Sequence, residues 1–414
     1  MSIWKWLNPK RLRDYPRLIF IASWAVLILN VLFHRGWIGG ITGITIGGDF
    51  ISNYSGGLLY QTDIHRLYDS TVQEEIQTKL VQPSESHGFA PFISPPYVAL
   101  SMGWFTFIQL PYALLAWEIL NLLCVVLTVY LISKYILPEQ LSKNELPPIQ
   151  LLLIILSSFA FVDGFLAGQS HGLTLFLCTA ITVTMIKEKW EFAGVLAGFL
   201  LYKPQFVIGF LICWFLWGKY RALLSFGIIT TMWQLPVILA NGFAPYIDYL
   251  NLTHNLLYLP YAKDSFPISI MATPYALFST IFPISYAKII QVVFLFLDIV
   301  MVLMFSYIAF VEKSLKLNNR IFSFSLALLL PLIIAPHTLI YDLIILVPGL
   351  VLLARIKEIS TSIKTIAIII YLSLLLIPLV GYVMKLALTG IIPLLLFVYL
   401  LYNKFHRNLR YEFI

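Results

Sequence analysis

The sequence LIFIASWAVLILNVLF, residues 18–33, is the first of many apolar runs in this chain. A run of about this length suits a helix that crosses a lipid bilayer. The 414 residues are 60% hydrophobic and only 11% charged, with a mean hydropathy of +0.87. Soluble domains carry about 25% charged residues. The composition therefore predicts an integral membrane protein.

The later apolar runs lack the alternation that is typical of membrane β-barrels. They lie at residues 92–109, 112–136, 149–162, 170–187, 191–203, 204–218, 221–240, 283–311, 321–335, 338–354, 363–384 and 387–402. Several are short and would need tilt to span a bilayer. We predict an all-α, polytopic membrane protein with about 12 transmembrane helices (12–13). No soluble domain is left over, so residues 1–414 form a single integral membrane domain.

The distribution of basic residues predicts the orientation. The net charge of +7 lies mainly in short loops, and basic residues precede residues 18–33. Such residues mark cytoplasmic segments. We expect a cytoplasmic N-terminus, a bacterial plasma (inner) membrane and no nucleic-acid partner. Five runs lie between the N-terminus and the cytoplasmic Lys187, where an even number of crossings is required. One run between residues 92 and 187 is therefore re-entrant or merged with a neighbour.

Two longer segments interrupt the apolar pattern. Residues 34–91 are predicted to form a first outer loop, and residues 241–282 a second. Within the first loop, residues 70–81 are expected to form a short helix on the membrane surface. Because the loops on the opposite face are short and basic, the functional site is expected on the outer face.

The stretch IGGDFISNYSGGLLY, residues 46–60, places Asp49 close to the end of the first span. A carboxylate in a low-dielectric environment near a cation can act as a general base. An aspartate after two glycines can equally be a capping or turn residue. Both interpretations remain open from the local sequence.

A second candidate is the break at Lys203-Pro204-Gln205, between two short apolar runs. Proline interrupts the hydrogen bonds of a helix, and a lysine beside free backbone groups can bind an anion such as a phosphate. The alternative is a lysine that extends from a short helix end towards the membrane surface.

Pro336-His337, followed by Tyr341-Asp342, forms a similar polar break. Ionisable residues at membrane depth usually face a polar cavity, although Asp342 could simply cap a helix start. Asp163 with the segment Gly168-Gln169-Ser170-His171 gives a weaker signal of the same kind.

The sequence contains no motif for other common kinds of enzyme chemistry. There is no phosphate-binding glycine loop, nucleotide-binding fold, zinc motif or serine–histidine–aspartate arrangement. Cys124, Cys178 and Cys213 lie in apolar runs without metal or disulfide spacing, so we expect buried thiols. We expect no cofactor and no metal. The prolines of Ser94-Pro95-Pro96-Tyr97 suit the first turn of a helix.

The ordered set of motifs resembles glycosyltransferase family 87 of the GT-C superfamily. The motifs are Asp49 with Tyr54 to Tyr60, Ser94-Pro95-Pro96, Gly168-Gln169, Gly194 to Lys203-Pro204, and Pro336-His337 with Tyr341-Asp342. The resemblance implies a polyprenyl-phosphate-linked sugar donor, often mannose, and a glycan or glycolipid acceptor. It also implies inverting transfer on the outer membrane face. Family members often have an aromatic residue before the two prolines, where this chain has Ser94.

By the same resemblance, Asp49 is the general base, Lys203 lies near the donor phosphate and His337 lies near the reacting centre. We group Tyr54, Gln169, Gln205, Tyr341 and Asp342 with them as supporting residues. A lipid-linked donor needs no nucleotide-binding domain, because the bilayer anchors it. The phosphate charge can be met by a lysine, so no metal is required.

Two other classes of protein fit part of the pattern. A transporter or lipid flippase also uses short broken helices and intramembrane acids such as Asp163, Asp298 and Asp342. Such a protein would more often show two similar halves, and no convincing repeat is present. A sugar polymerase or ligase would be expected to carry its largest outer loop late in the chain.

Overall fold

The computed structural model describes residues 9–33, 46–82, 89–137, 146–255, 268–315 and 320–406. Parts of both predicted outer loops, residues 34–45, 83–88 and 256–267, lie outside this set. Within the described residues the chain forms helices and no β-strand, with one isolated bridge between Met271 and Leu339. The predicted all-α class is confirmed.

The described helices in the first half of the chain range from 7 to 25 residues in length. These helices are α1 (Pro9–Phe33), α2 (Gly48–Thr62), α3 (Ser70–Val81), α4 (Pro96–Met102), α5 (Leu110–Leu131), α6 (Pro148–Ser157), α7 (Phe159–Ala167), α8 (His171–Ile186), α9 (Trp190–Leu200) and α10 (Ile208–Leu216). Between α9 and α10, residues Pro204–Val207 form a 3-10 helix.

The described helices in the second half range from 8 to 26 residues. Its helices are α11 (Tyr220–Asn241), α12 (Ala244–Asn255), α13 (Pro274–Ile281), α14 (Ala287–Glu312), α15 (Ile321–Ile334), α16 (Leu346–Leu353), α17 (Lys357–Ser373), α18 (Ile377–Met384) and α19 (Ile391–His406). A 3-10 helix, Ile340–Ile345, leads directly into α16.

The described helices support a membrane protein without fixing the number of crossings. Four are long and apolar enough to span a bilayer: Leu110–Ile136, Tyr220–Asn241, Ile284–Glu312 and Leu388–His406. The bent pairs α6–α7, at 59°, and α17–α18, at 45°, bring the number to six if each pair is one span. The described residues also contain five shorter apolar helices: His171–Ile186, Trp190–Leu200, Pro204–Leu216, Ile321–Ile334 and Ile340–Leu353. The number of about 12 stays a prediction.

The predicted second span, residues 92–109, is not a membrane-length helix. Its only α-helical part is α4, whose seven residues cover about 10 Å of the ~30 Å hydrocarbon core. Pro96 lies in the first turn of α4, as the paired prolines predicted. Without this run, four candidates remain before Lys187. An even number is what a cytoplasmic N-terminus requires.

The interior is built around α15, whose residues Ile321–Ile333 are all buried. A helix that is apolar on every side belongs in such a central position. In contrast, α11 and α14 expose large apolar side chains such as Leu239 (76%) and Phe296 (65%). Contiguous apolar surface of this kind suits contact with lipid. Cys124, Cys178 and Cys213 are buried free thiols, as predicted.

Candidate active site

Asp49 lies in the first turn of α2, beside the turn that joins α7 to α8. Gly47, at the start of α2, has a left-handed backbone (φ 76°), and its amide donates to the Leu166 carbonyl at 2.7 Å. Gln169 Nε2 donates to Asp49 Oδ2 at 2.7 Å. This hydrogen bond orients a carboxylate that is partly buried. Two segments 120 residues apart therefore meet at Asp49.

Burial raises the pKa of Asp49 above the ordinary carboxyl value. Loss of hydration disfavours the ionised form, whereas the Gln169 hydrogen bond and the charge of Lys203 favour it. The negative charge of Asp342 also raises the pKa of Asp49, because a second negative charge nearby disfavours ionisation. The result is a carboxylate with a higher proton affinity than a solvated aspartate.

The α7–α8 turn depends on a glycine. Gly168 has φ 72°, and a Cβ placed there would lie 2.6 Å from the Phe50 Cβ. Trp117 Nε1 donates to the Gly168 carbonyl at 3.0 Å and fixes the turn against α5. Because Gln169 follows directly, the position of its amide depends on this backbone.

We expect Gly168→Ala to lower both stability and activity. A left-handed alanine is strained by about 1 kcal/mol or more, and the clash with Phe50 adds to this cost. The displaced turn would also move Gln169 away from Asp49. Thermal unfolding in detergent measures the first effect, and turnover measures the second.

Gly227→Ala in α11 is the matched control, because a Cβ there meets no atom within 4 Å. Alanine in an exposed helix interior should stabilise the protein by about 0.5–1 kcal/mol. Equal stability of the two variants would contradict the role of the Gly168 turn.

Lys203 lies at the break between α9 and α10, and Pro204 begins the 3-10 helix that follows. Its Nζ donates to Asp342 Oδ1 at 2.6 Å, and the two side chains are only 15% and 5% exposed. The same ammonium group lies 4.9 Å from the centroid of the Tyr341 ring. Such a cation held by a carboxylate and an aromatic face is a fixed positive charge inside the protein.

Asp342 has two partners, and one of them makes it the helix cap that was one of its two interpretations. One oxygen accepts from Lys203, and the other accepts from the backbone amide of Leu339 at 3.2 Å, which caps the helical turn Ile340–Ile345. The carboxylate thereby ties the Lys203 break to the break that follows α15.

His337 lies in the turn after α15. The segment before α13 anchors this turn. Ala272 donates from its amide to the Thr338 carbonyl at 2.8 Å. Within the described residues, His337 Nδ1 is buried and has no hydrogen-bond partner. Burial lowers the pKa of His337 and favours the neutral ring. A neutral imidazole with a free ring nitrogen can donate to or accept from a substrate.

These groups form one cluster. Asp49 interacts electrostatically with Lys203 and Asp342, and Tyr341 interacts with both carboxylates. His337 interacts with Lys203 and Asp342. Asp49, Gln169, Lys203, His337, Tyr341 and Asp342 therefore lie together, although they come from four separate breaks in the helical pattern.

Two predicted supporting residues lie apart from this cluster. The Tyr54 hydroxyl donates to the Ile108 carbonyl at 2.8 Å, and its ring packs on Phe50, so it supports α2 from the other side. Gln205 lies in the 3-10 helix after Lys203. No contact in the described part of the chain links its side chain to Asp49.

Comparison with known families gives a match. The profile of glycosyltransferase family 87 matches residues 92–336, which is more than half of the chain. The chain belongs to glycosyltransferase family 87. Comparison with curated proteins and with solved structures found no match.

Membership in family 87 makes this protein a sugar-transferring enzyme, with a sugar donor and an acceptor as substrates. It is therefore not the transporter or flippase that the sequence left open. Gln169, Lys203 and Gln205 lie inside the matched region, which ends at Pro336. Asp49, His337 and Asp342 lie outside it, and the contacts described above connect them to it.

Two residues in this family 87 chain join the cluster although they were not among the predicted site residues. Asp163 interacts electrostatically with Asp49 and Tyr341. His171 Nδ1 lies 3.1 Å from the Gln169 carbonyl, and its ring packs edge-on against Phe161. Both belong to the polar break at 163–171, whose sequence signal was weak because the flanking runs are short.

Other contacts in this family 87 chain had no sequence signal. Asn121 Oδ1 accepts from the amides of Gly172 and Leu173 and so caps the start of α8. It belongs to the apolar α5, as does Trp117. Among the described residues no group of three histidine, cysteine or acidic side chains could hold a metal ion.

Proposed function

We propose that this enzyme transfers a hexose from a polyprenyl-phosphate donor to a glycan or glycolipid acceptor on the outer face of the bacterial inner membrane. In this proposal Asp49 is the general base, and inversion occurs at the anomeric carbon. The observation that carries the proposal is the meeting of the Gln169-bound Asp49 and the buried Lys203–Asp342 pair at one cluster.

The chemistry assigns the two ends of this cluster different tasks. Asp49 takes the proton from an acceptor hydroxyl, and the oxygen forms a bond to the anomeric carbon of the donor sugar. The bond between that carbon and the phosphate oxygen breaks, and the polyprenyl phosphate leaves with the bonding electrons. A base at this position accounts for about 10²–10⁴ in rate.

The leaving phosphate needs positive charge or hydrogen-bond donors where its charge develops. Lys203 supplies a cation, and the neutral ring of His337 supplies a donor beside it. Because Asp342 already accepts from Lys203, we expect the donor phosphate to share the ammonium group with this carboxylate. Tyr341 completes the arrangement by covering the lysine with its ring.

A membrane setting suits such a donor. The candidate site lies between short, broken helices, while long apolar helices such as α11 and α14 expose large side chains on the outside. A polyprenyl chain is as apolar as these side chains, so it can remain in the bilayer while its phosphate and sugar reach the breaks. Mannose is the first hexose to test.

The pH dependence of turnover should report Asp49. The base must be ionised, so kcat/KM falls as the pH falls through its pKa. Because burial raises that pKa, the acidic limb should lie above the ordinary carboxyl range. Gln169→Leu removes a hydrogen bond that favours the ionised form, so it should move the limb to still higher pH.

A pH profile of kcat/KM for wild type and Gln169→Leu measures this effect. Gln61→Leu is the control, because Gln61 lies at the opposite end of α2 from Asp49 and its amide donates to the Gly103 carbonyl. An acidic limb in the ordinary carboxyl range, unchanged by Gln169→Leu, would count against Asp49 as the titrating base.

The function itself is tested by following radiolabelled sugar from polyprenyl-phosphate mannose, glucose and galactose into acceptors of bacterial membranes that contain the enzyme. We expect transfer from one of these donors. Transfer from a nucleotide sugar in purified, lipid-reconstituted enzyme, with none from any polyprenyl phosphate, would overturn the donor assignment.

A further inference from the structure

A second group of side chains lies beside the candidate site and has no role in the chemistry proposed above. It is a cluster of tyrosines contributed by α2, α4, α12 and the segments next to α3 and α9. This tyrosine cluster consists of Tyr60, Tyr68, Tyr97, Tyr202, Tyr246 and Tyr249. The rings of Tyr68 and Tyr249 lie 6.0 Å apart, and the other members pack around the same core.

The hydroxyl groups of this cluster fall into two sets. Tyr68 donates to the Ser94 carbonyl at 2.7 Å, and the Tyr202 hydroxyl lies 2.7 Å from Thr174 Oγ1. In contrast, the hydroxyls of Tyr97 and Tyr246 are buried and have no hydrogen-bond partner within the described residues. Tyr97 is only 6% exposed. Buried polar atoms without partners are rare and mark places where a ligand or water completes the structure.

The tyrosine cluster is continuous with the site around Asp49. Tyr202 directly precedes Lys203, and its partner Thr174 lies in the first turn of α8, close behind Gln169. Tyr97, Tyr202 and Tyr246 pack in the same apolar core, which includes Val237. The tyrosines therefore form a path from the candidate site to α12.

The chemistry of this path suits a neutral sugar. Aromatic faces pack on the apolar face of a hexose ring, while hydroxyls bond to its hydroxyls. A phosphate would need a cation, but the acid Asp248 acts on Tyr68, and the nearby Arg66 already pairs with Asp69 at 3.4 Å. A polyprenyl chain would be matched by aliphatic side chains and would leave the two free hydroxyls unpaired.

We propose that the tyrosine cluster is the acceptor subsite, in which a neutral hexose unit of the glycan or glycolipid binds between Tyr97 and Tyr246. This inference rests on the proposed function and adds the location of the acceptor. The helix α12 packs mainly against α4 and the turn Ile64–Arg66, and it exposes Ile247 and Leu250. Sugar entry requires α12 to move away from α4.

The test uses the variant Tyr97→Phe/Tyr246→Phe, which removes the two unpaired hydroxyls and keeps both rings. Binding of octyl disaccharides of mannose, glucose and galactose to the purified enzyme in detergent is measured by calorimetry. We expect the Kd of the best disaccharide to rise about tenfold, since each lost hydrogen bond accounts for a few-fold. Tyr307→Phe, on the exposed face of α14, should bind as wild type does.

The same variants are then compared in sugar transfer. We expect the KM for the acceptor to rise by the same factor, with the donor KM and kcat unchanged. Failure of every disaccharide to bind the wild type, an unchanged Kd in the double variant, or an equal loss in Tyr307→Phe would each overturn the subsite. Disaccharide binding that depends on both hydroxyls, without transfer from any polyprenyl-phosphate hexose, would overturn the proposed function and leave the subsite standing.

Discussion

Asp49→Asn should lower kcat by about 10²–10⁴ while the protein folds normally. The asparagine keeps the size of the side chain, and its carbonyl oxygen can still accept from Gln169 Nε2, which is 2.7 Å from the aspartate. The amide has no proton affinity near neutral pH, so it cannot take the proton of the acceptor hydroxyl. The KM values should change little, because the lost interaction is made in the transition state.

The measurement is single-turnover sugar transfer with saturating donor and acceptor, together with thermal unfolding of the same preparation. Asp63→Asn is the matched control, since Asp63 is an exposed aspartate that immediately follows α2. We expect wild-type turnover for this variant. Wild-type turnover in Asp49→Asn would show that Asp49 is not the base. If the variant is unfolded, its loss of activity results from the loss of structure.

Local sequence was sufficient to place helices that have clear end signals. The surface helix expected at residues 70–81 has these bounds in the structure. Asp69 precedes it and accepts from the amides of Thr71 and Val72, which is the cap that an aspartate at this position provides. Here the determinant of the helix lies within a few residues of it, so the pattern predicts the outcome.

Hydropathy failed at residues 92–109 for a physical reason. An apolar run reports that side chains avoid water, but it does not say whether they contact lipid or protein. This run packs on α2: a Cβ at Gly57 would lie 2.8 Å from the backbone nitrogen of Gly103. Since the run also contains helix-breaking residues, it forms the short α4 and a 3-10 turn.

The sequence marked polar residues of the candidate site one by one, but it did not predict their contacts. Each break carries a polar residue that is costly at membrane depth, and this cost marked Asp49, Lys203 and Asp342 in the sequence. The partners of these residues are 120 and 139 positions away, as in Gln169 with Asp49 and Lys203 with Asp342. Nothing local specifies such pairs, because they depend on how the broken helices pack.

A large loss of stability is expected when Lys203 is replaced. Lys203→Met leaves the carboxylate of Asp342 buried without its cation, and Asp342 is only 5% exposed. Breaking a buried ion pair by removing one partner costs about 3–5 kcal/mol. The variant should also lose donor affinity by roughly 10- to 100-fold, because a hydrogen bond to a charged group contributes about 1.5–3 kcal/mol.

The two effects separate in the double variant. Lys203→Met/Asp342→Asn removes both charges, so most of the stability should return, while the KM for the donor stays high. Lys404→Met is the matched control: Lys404 pairs with Glu312 at 2.5 Å, and these side chains are 14% and 0% exposed. It should lose stability to a similar degree and keep the wild-type donor KM.

Thermal unfolding in detergent and the donor KM are measured on the same preparations. Lys79→Met is the control for an exposed ion pair, since Lys79 and Glu75 are 68% and 63% exposed. Such pairs contribute little to stability, so we expect a small effect. A donor KM that recovers together with stability in the double variant would show that Lys203 only holds the fold. If the double variant is stable and its donor KM stays high, the donor phosphate requires the positive charge of Lys203.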